Sequence, residues 1–374
     1  MQKQLPLLLL TIIILASNTI NAYAQFLTLP PSGDNKKAAV SEEIGITRIA
    51  IDYSRPGVRG REGKIWGQVV PYSFQVLGYG SNNPSPWRAG ANEMTTIEFS
   101  SDVMIDGKPL KAGKYGLLMA VQEKEVTVIF SNNTTNWGGY FYDEKEDALR
   151  ITVKQEVMPN SVEWLKYEFI DQTPNSATVA LFWEKWKIPF KITVDVNATV
   201  VASMRLELRG DDGFSWQAMH EAALWCLQNN TNLEEALVWA DKAINEPFIG
   251  DANFQTISTK AMILEKLGKG TEATALMKTA LDKGNPAEIH NYARQLMMQK
   301  RTKEAAEVFR FNAKKYPNQW PVNVGLMRAY SSEGNFKDAL KYAKLALEQA
   351  PDDLNKQNLQ RLIQLLNEGK DINQ

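Results

Sequence analysis

The sequence predicts two units of opposite class, an all-β antiparallel sandwich or barrel followed by an all-α array of helical repeats. Three observations carry that prediction. Up to about residue 200, short β-branched and aromatic runs recur between turn signals. Beyond it the apolar residues take the three- and four-residue spacing of helices. Within that second half one helical pattern returns, with Ala236, Ala273, Ala305 and Ala339 at equivalent places, 37, 32 and 34 residues apart.

Taken in order, the chain opens with a cationic MQKQ, a nearly unbroken apolar run from Leu5 to Ile14, and the small-residue triplet Ala22-Tyr23-Ala24. A signal peptide over residues 1–24 is expected, with a mature start at Gln25 and a flexible linker over 25–40. The apolar run falls short of the roughly 20 residues a bilayer span needs, so no membrane span is expected once the signal is removed. The expected location is outside the cytoplasm, in the periplasm or fully secreted. Cys226 is the only cysteine. It is far from the cleavage point, where a lipoprotein would need one, and a lone thiol forms no intramolecular disulfide and no Cys-rich zinc site.

Residues 41–197 are expected to form the β unit. IGITRIAIDY, MTTIEFSSDVMID, YGLLMAV, EVTVIFSN, ALRITVKQEV, WLKYEFID, SATVALFW and IPFKITVDV read as strands. In MTTIEFSSDV the alternation of Thr96 and Glu98 with Ile97 and Phe99 gives one wet and one buried face. Asp106-Gly107 supplies a hairpin turn, because glycine tolerates positive φ and aspartate bonds its own backbone. With no helical stretches between the strands, an antiparallel arrangement is expected.

Two segments of this unit carry recognition chemistry. WRAGANE sets Trp87, Arg88, Asn92 and Glu93 together, and the glycine-rich loop RPGVRGREGK concentrates Arg55, Arg59 and Arg61 just before Trp66. If the two segments meet, guanidiniums and indole rings line one surface fit for a glycan or a small anion, since arginine forks grip carboxylate or phosphate and tryptophan faces stack on sugars. The competing reading has Glu93 pairing with Arg88 or Arg55 to pin a loop onto the sandwich. DEKED, residues 143–147, lacks the alternating ligands and turn glycine of a calcium loop. In WEKWK, Trp183 and Trp186 read as cover for the core or for the helical unit. The blocks IDYSRPGVRGREGKIWGQVVPY, WRAGANEMTTIEFSSDVMIDGKPLKAGKYGLLM and VTVIFSNNTTNWGGYFYDEKEDALRITV together resemble the domain of unknown function numbered 2911 over roughly residues 40–196. The resemblance implies an exported bacterial protein, often continued by tetratricopeptide repeats, and it implies no activity. FQVLGYGSNNPSP interrupts the family's usual passage from its PY to its WR motif.

A linker over 198–212 is expected to lead into helical repeats over 213–369, with 370–374 as a tail. NLEEALVWADKAI, KGTEATALMKTAL, RTKEAAEVFRFNA and NFKDALKYAKLAL read as the second helices of four pairs, and Pro317 and Pro351 stop helices in register. Leu326, Tyr330, Gly334, Phe336, Ala339, Ala346 and Pro351 resemble the tetratricopeptide pattern. That resemblance implies that first helices line a partner groove, and the alanine alignment puts Trp225, Met262, Arg294 and Arg328 at equivalent positions along it.

Function classes narrow by exclusion. A net charge of −1 argues against nucleic-acid binding. His220 and His290 are the only histidines, so the first half holds no Ser-His-Asp triad and no histidine-ligated metal. No cofactor and no metal are expected. The favoured expectation is a non-enzymatic binding or scaffolding protein whose helical repeats take a peptide or protein partner. The alternative is a hydrolase acting on glycan, with Glu93 and a second acid such as Glu98 or Asp143 as its carboxyl pair.

Overall fold

The computed structural model describes residues 35–373, which fall into two compact units divided at Val194/Asp195. The expected signal peptide lies outside the described residues.

The first unit is built of two antiparallel sheets, as the strand-and-turn rhythm predicts. One has the order β1 (Lys36–Ile44), β2 (Thr47–Arg55), β3 (Thr96–Phe99), β6 (Gly113–Val121), β7 (Val126–Ser131), β8 (Asp147–Val153). The other has the order β5 (Lys108–Leu110), β4 (Val103–Ile105), β10 (Ser176–Thr193), β9 (Glu156–Thr173). Aromatic pairs join the sheets: Phe130 of β7 meets Phe190 of β10 edge-on at 5.7 Å, and Tyr53 of β2 meets Tyr167 of β9 at 4.9 Å. Between them lie Ile49, Ile51, Ile97, Phe99, Leu117, Leu165 and Leu181, all buried. Apolar area removed from water at about 25 cal/mol per Å² makes such a layer the main source of the unit's stability, in keeping with a chain that has no disulfide.

Two details of this unit depart from the sequence reading. Lys36–Ile44 is an edge strand where part of a linker was expected, paired with β2 over its whole length. Its KKAAVSEEI carries few apolar residues because an edge strand buries little, and charges there discourage further pairing. SATVALFW and IPFKITVDV, expected as separate strands, are halves of one 18-residue strand, β10, whose register shifts between Phe182 and Trp186. The shift centres on Glu184, at φ 50° in the left-handed region. The extra residue matters because side chains three apart on a regular strand face opposite sides, whereas a bulge brings them to one side. Trp183 and Trp186 consequently pack around the same ring, that of Trp66.

Among the described residues the second unit holds ten α-helices. α1 is Val196–Glu207, so the stretch expected as a linker is mostly helical; Asp195 caps it through Ala198 N, and Val201 packs with Ala222, Ala223 and Cys226. Four helix pairs follow: α2 (Trp216–Gln228) with α3 (Leu233–Asn245), α4 (Phe254–Lys266) with α5 (Gly270–Lys283), α6 (Pro286–Met298) with α7 (Thr302–Lys315), and α8 (Trp320–Ser332) with α9 (Phe336–Glu348). The tenth helix, α10 (Asp353–Asn367), packs on α9. The starts are legible in the sequence: Asn285 and Glu288 form a reciprocal cap with Pro286 in the first turn of α6, and Asn253 with Thr256 does the same for α4. All four register alanines, Ala236, Ala273, Ala305 and Ala339, are buried on the second helices, where a larger side chain would force the pair apart. Gly325 does the same on α8, since a Cβ there would sit 2.5 Å from Phe309 Cδ1.

Candidate functional site

In the β unit, WRAGANEMTT folds into a tight loop fixed by its own backbone. Trp87 exchanges both backbone hydrogen bonds with Met119 of β6, its Nε1 donates to Gly90 O at 3.0 Å, and Tyr167 OH donates to Ala89 O at 2.7 Å. Ala89 and Asn92 both have positive φ, 50° and 57°. Asn92 is pinned by Asn35 rather than left open to solvent, with its Nδ2 on Asn35 O at 3.4 Å. Glu93 pairs with neither Arg88 nor Arg55. Its carboxylate meets Lys37 Nζ at 2.9 Å and accepts from Ser54 Oγ at 3.3 Å, and the Lys37 hydrogen bond holds its pKa below the usual range.

The arginine-rich loop is braced by its own guanidiniums. Arg61 donates to Val58 O and Gly57 O at 2.9 and 2.7 Å, Arg55 donates to Leu165 O at 2.8 Å, and Arg59 lies over the Trp164 ring. Arg61 thereby satisfies carbonyls of the loop itself, while Arg55 and the backbone bridge between Gly57 and Trp164 tie the loop to β9. The two aromatic residues do meet, as the sequence suggested. Trp66 and Trp87 lie 5.8 Å apart, Trp66 stacks on Trp186 at 4.5 Å, and Trp87 stacks on Trp183 at 5.9 Å. The result is a four-indole cluster, clamped by Glu184, whose buried carboxylate accepts from Gly63 N and Lys185 N. Arg88 stands apart from the other arginines. It lies against Gly138, burial lowers its pKa, and its Nε is buried with no hydrogen-bond partner. A guanidinium so placed can take a two-point carboxylate or phosphate.

FQVLGYGSNNPSP leaves and re-enters along the free edge of β6, because Ser73 N donates to Val121 O while Trp87 pairs with Met119. The PY and WR blocks therefore meet on β6 despite the interruption. Phe74, Asn83 and Pro84 of the insertion form one wall of a cleft of about 540 Å³, with Tyr142, Asp143, Glu144, Lys145 and Arg150 as the other. Behind it Tyr142 OH donates to Asp147 at 2.7 Å and accepts from Arg150 Nη2 at 2.7 Å; burial pushes the Tyr142 phenol and the Asp147 carboxyl up. Sequence reading missed this cleft, whose only signal is the insertion itself. It holds Asp143 but neither Glu93 nor Glu98. Glu98 is exposed on β3 opposite Lys114. Among the described residues no group of three His, Cys, Asp or Glu is placed to hold a metal.

In the helical unit a groove of about 590 Å³ crosses the first helices α2, α4 and α6, lined by Leu224, Leu227, Met262, Tyr292, Gln295 and Arg301 among others. Glu265 and Arg301 pair across it at 2.7 Å. Trp225, although equivalent to Met262 in sequence, lines a different cleft against Met204 and the C-terminal cap Leu208 of α1, a helix the repeat pattern does not announce. Arg294 and Arg328 are both partly buried and raise a local positive field. Arg328 is depressed to about 10 by burial, with Arg294 and Arg361 adding to the effect against Asp371. Sequence reading missed Arg361, on α10, 33 residues after Arg328.

The same field acts on His290, which is buried against Phe309 and depressed to about 4, first by burial and then by Arg294 and Arg328. Its unfolded value is near ~6.5. The unfolded chain therefore takes up a proton that the folded chain refuses, so the contribution is intact above about pH 6.5 and is lost as the pH falls towards about 4. Between pH 7 and pH 5 the expected loss is about 2 kcal/mol, at about 1.4 kcal/mol per pH unit. Thermal unfolding of the wild-type chain and of His290→Gln over that range checks this; parallel slopes would remove His290 as the cause.

These features define a two-unit protein, an antiparallel β domain with an aromatic cluster followed by a helical-repeat array with a groove. Residues 35–192 match the family model described as a protein of unknown function, DUF2911, and residues 296–363 match a tetratricopeptide repeat model. The first unit is thus a DUF2911 domain and the second carries tetratricopeptide repeats. No curated protein matches the chain. Among solved structures, a double mutant of MamA from RS-1 is 17% identical, with a TM-score of 0.30, over 44% of this chain and 88% of that one. The pilF protein of Pseudomonas aeruginosa is 20% identical, TM-score 0.29, over 43% and 75%. YrrB, titled a TPR protein with an unusual peptide-binding site, is 17% identical, TM-score 0.28, over 44% and 83%. Among the described residues no helix is long and apolar enough to cross a membrane.

Proposed function

We propose that this is an exported, non-enzymatic binding and scaffolding protein whose tetratricopeptide repeats hold an extended segment of a partner protein, with the β domain as its recognition or anchoring module. The observation that carries the reading is the groove across α2, α4 and α6. It offers an apolar floor in Leu224, Leu227 and Met262, with amide side chains at Gln295 and Gln299 along its length. An extended peptide places side chains on such a floor and hydrogen-bonds its backbone to such amides. Export rests on the cationic start, apolar run and Ala-Tyr-Ala triplet of residues 1–24.

One preparation tests both parts. The chain, carrying a photo-crosslinking residue at Met262, is expected in the detergent-free envelope fraction with Gln25 as its first residue. Crosslinks from that position should map to one segment of one partner and should be lost with Tyr292→Ala. Equal crosslinking from the exposed Leu354 position would remove the groove as the site, and full-length chain held in the membrane fraction would remove export.

A further inference from the structure

The segment that follows α10 turns back onto α8 and is held there residue by residue. Ser331 Oγ donates to Asp371 Oδ1 at 2.8 Å, and Ile372 N donates to the same hydroxyl at 3.1 Å. Asn373 Nδ2 donates to Arg328 O at 3.0 Å, while Arg328 Nη1 donates to Asn373 Oδ1 at 3.3 Å. Between these two polar anchors Ile372, only 7% exposed, enters the cluster of Val324, Met327, Leu359, Leu362 and Leu366. An acid, an aliphatic residue and an amide in succession each find a fitted contact. A helical array holds a foreign extended peptide in the same way.

The site has more positive charge than this segment uses. Arg328 Nε is buried and has no partner. Arg294, one repeat earlier at the same position, has no hydrogen bond or ion pair among the described residues. Arg361, at the corresponding distance on the other side, donates to Asn358 Oδ1 at 3.1 Å. Arg294 on α6 and Arg361 on α10 both act on Arg328 of α8 as like charges, with the Asp371 carboxylate opposing them there. Like charges that act on one another cost free energy that an added anion recovers.

We propose that Arg294, Arg328 and Arg361 form a binding site for a carboxylate-bearing extended peptide of acid–aliphatic–amide character supplied by another molecule, and that Asp371–Ile372–Asn373 is its resident substitute, displaced when that peptide binds. The proposal rests on the reading of the repeats as a partner grip and specifies the partner's chemistry. Arg294 and Arg328 take the added carboxylate in charge-assisted hydrogen bonds, and the pocket vacated by Ile372 takes the aliphatic side chain. The tethered segment competes at a high effective concentration, so a free peptide binds weakly until that segment is released.

The test uses the full chain and a fluorescein-labelled peptide, Asn-Glu-Gly-Lys-Asp-Ile-Asn, followed by anisotropy. Ile372→Asp should free the segment and tighten peptide binding about tenfold or more over the unaltered chain. Arg294→Ala with Arg328→Ala in the same background should weaken it by about tenfold or more, and added salt should weaken it further. Asp371→Ala with Asn373→Ala, which removes the side-chain anchors that hold the segment and keeps the aliphatic residue itself, supplies the same readout if Ile372→Asp loses helical circular dichroism. Equal affinity for released and unaltered chains, survival of binding without the two arginines, or no binding to any folded variant would each overturn the proposal. Crosslinks from Met262 that persist when the peptide fails would leave the groove reading standing, and their loss alone would leave this site standing.

Discussion

Replacing Trp183 with alanine is expected to destabilise the β domain by about 3–5 kcal/mol, the range for emptying a buried large aromatic site. Trp183 is 1% exposed and touches both Trp66 and Trp87, so its loss opens a void that these two indoles border. Those neighbours cannot close in, because Trp87 is tied to Met119 and Gly90 and the Trp66 loop is tied through Gly63 to Glu184. The measurement is the urea midpoint followed by tryptophan fluorescence. Trp186→Ala, at a half-buried position on the same cluster, should cost less. A loss below about 1 kcal/mol for Trp183→Ala would mean that the cluster collapses freely and is no frame for the loops around it.

Phe309→Ala is the corresponding change in the repeat array, with an expected loss of about 3–5 kcal/mol. The ring is 1% exposed and packs with Leu296, Ala305, Ala306 and Ala329, with the face of Gly325 against it and His290 at 5.4 Å. It therefore joins α6, α7 and α8, and in an array stabilised by nearest-neighbour contacts its removal weakens the junction between two repeats. Thermal unfolding followed by helical circular dichroism reads the effect. Gly325→Ala probes the same contact from the opposite direction and should cost about 1–3 kcal/mol through overpacking. Little change from either substitution would show that these repeats unfold independently at this junction.

The two units were legible from periodicity, and the helical one most finely. Ala236, Ala273, Ala305 and Ala339 fix the second helices because only small residues fit where paired helices touch, and that requirement repeats with the fold. The β domain was readable where one face is buried, as with Ile97 and Phe99 against exposed Glu98, although Thr96, expected on the wet face, is buried as well. What stayed hidden follows from local physics. β1 buries too little to alternate visibly. The bulge at Glu184 inserts one residue without altering composition, so two strands were inferred where there is one. α1 carries β-branched residues in VNATVVASMRLE and lies outside the repeat spacing, so nothing marked it as helical. The loop arginines looked like ligand groups because composition counts charges and does not show that Arg55 and Arg61 are spent on backbone carbonyls. Trp66 with Trp87 was foreseen, yet the partners that complete the cluster come from β10, more than 90 residues along the chain.

The anchoring of Ser73 on Val121 and of Trp87 on Met119, two residues apart on β6, makes the stretch between them a replaceable cassette. Both of its ends are clamped to a rigid rail, so its length and composition can drift without shifting the frame, and loop closure charges little for added residues. In this chain the cassette displays Val76, Leu77 and Tyr79 to solvent and supplies Phe74, Asn83 and Pro84 to a cleft. A chain that passed directly from one anchor to the other would keep the scaffold and lack that wall. Changes confined to this one junction would therefore alter what the domain meets and leave its strands untouched.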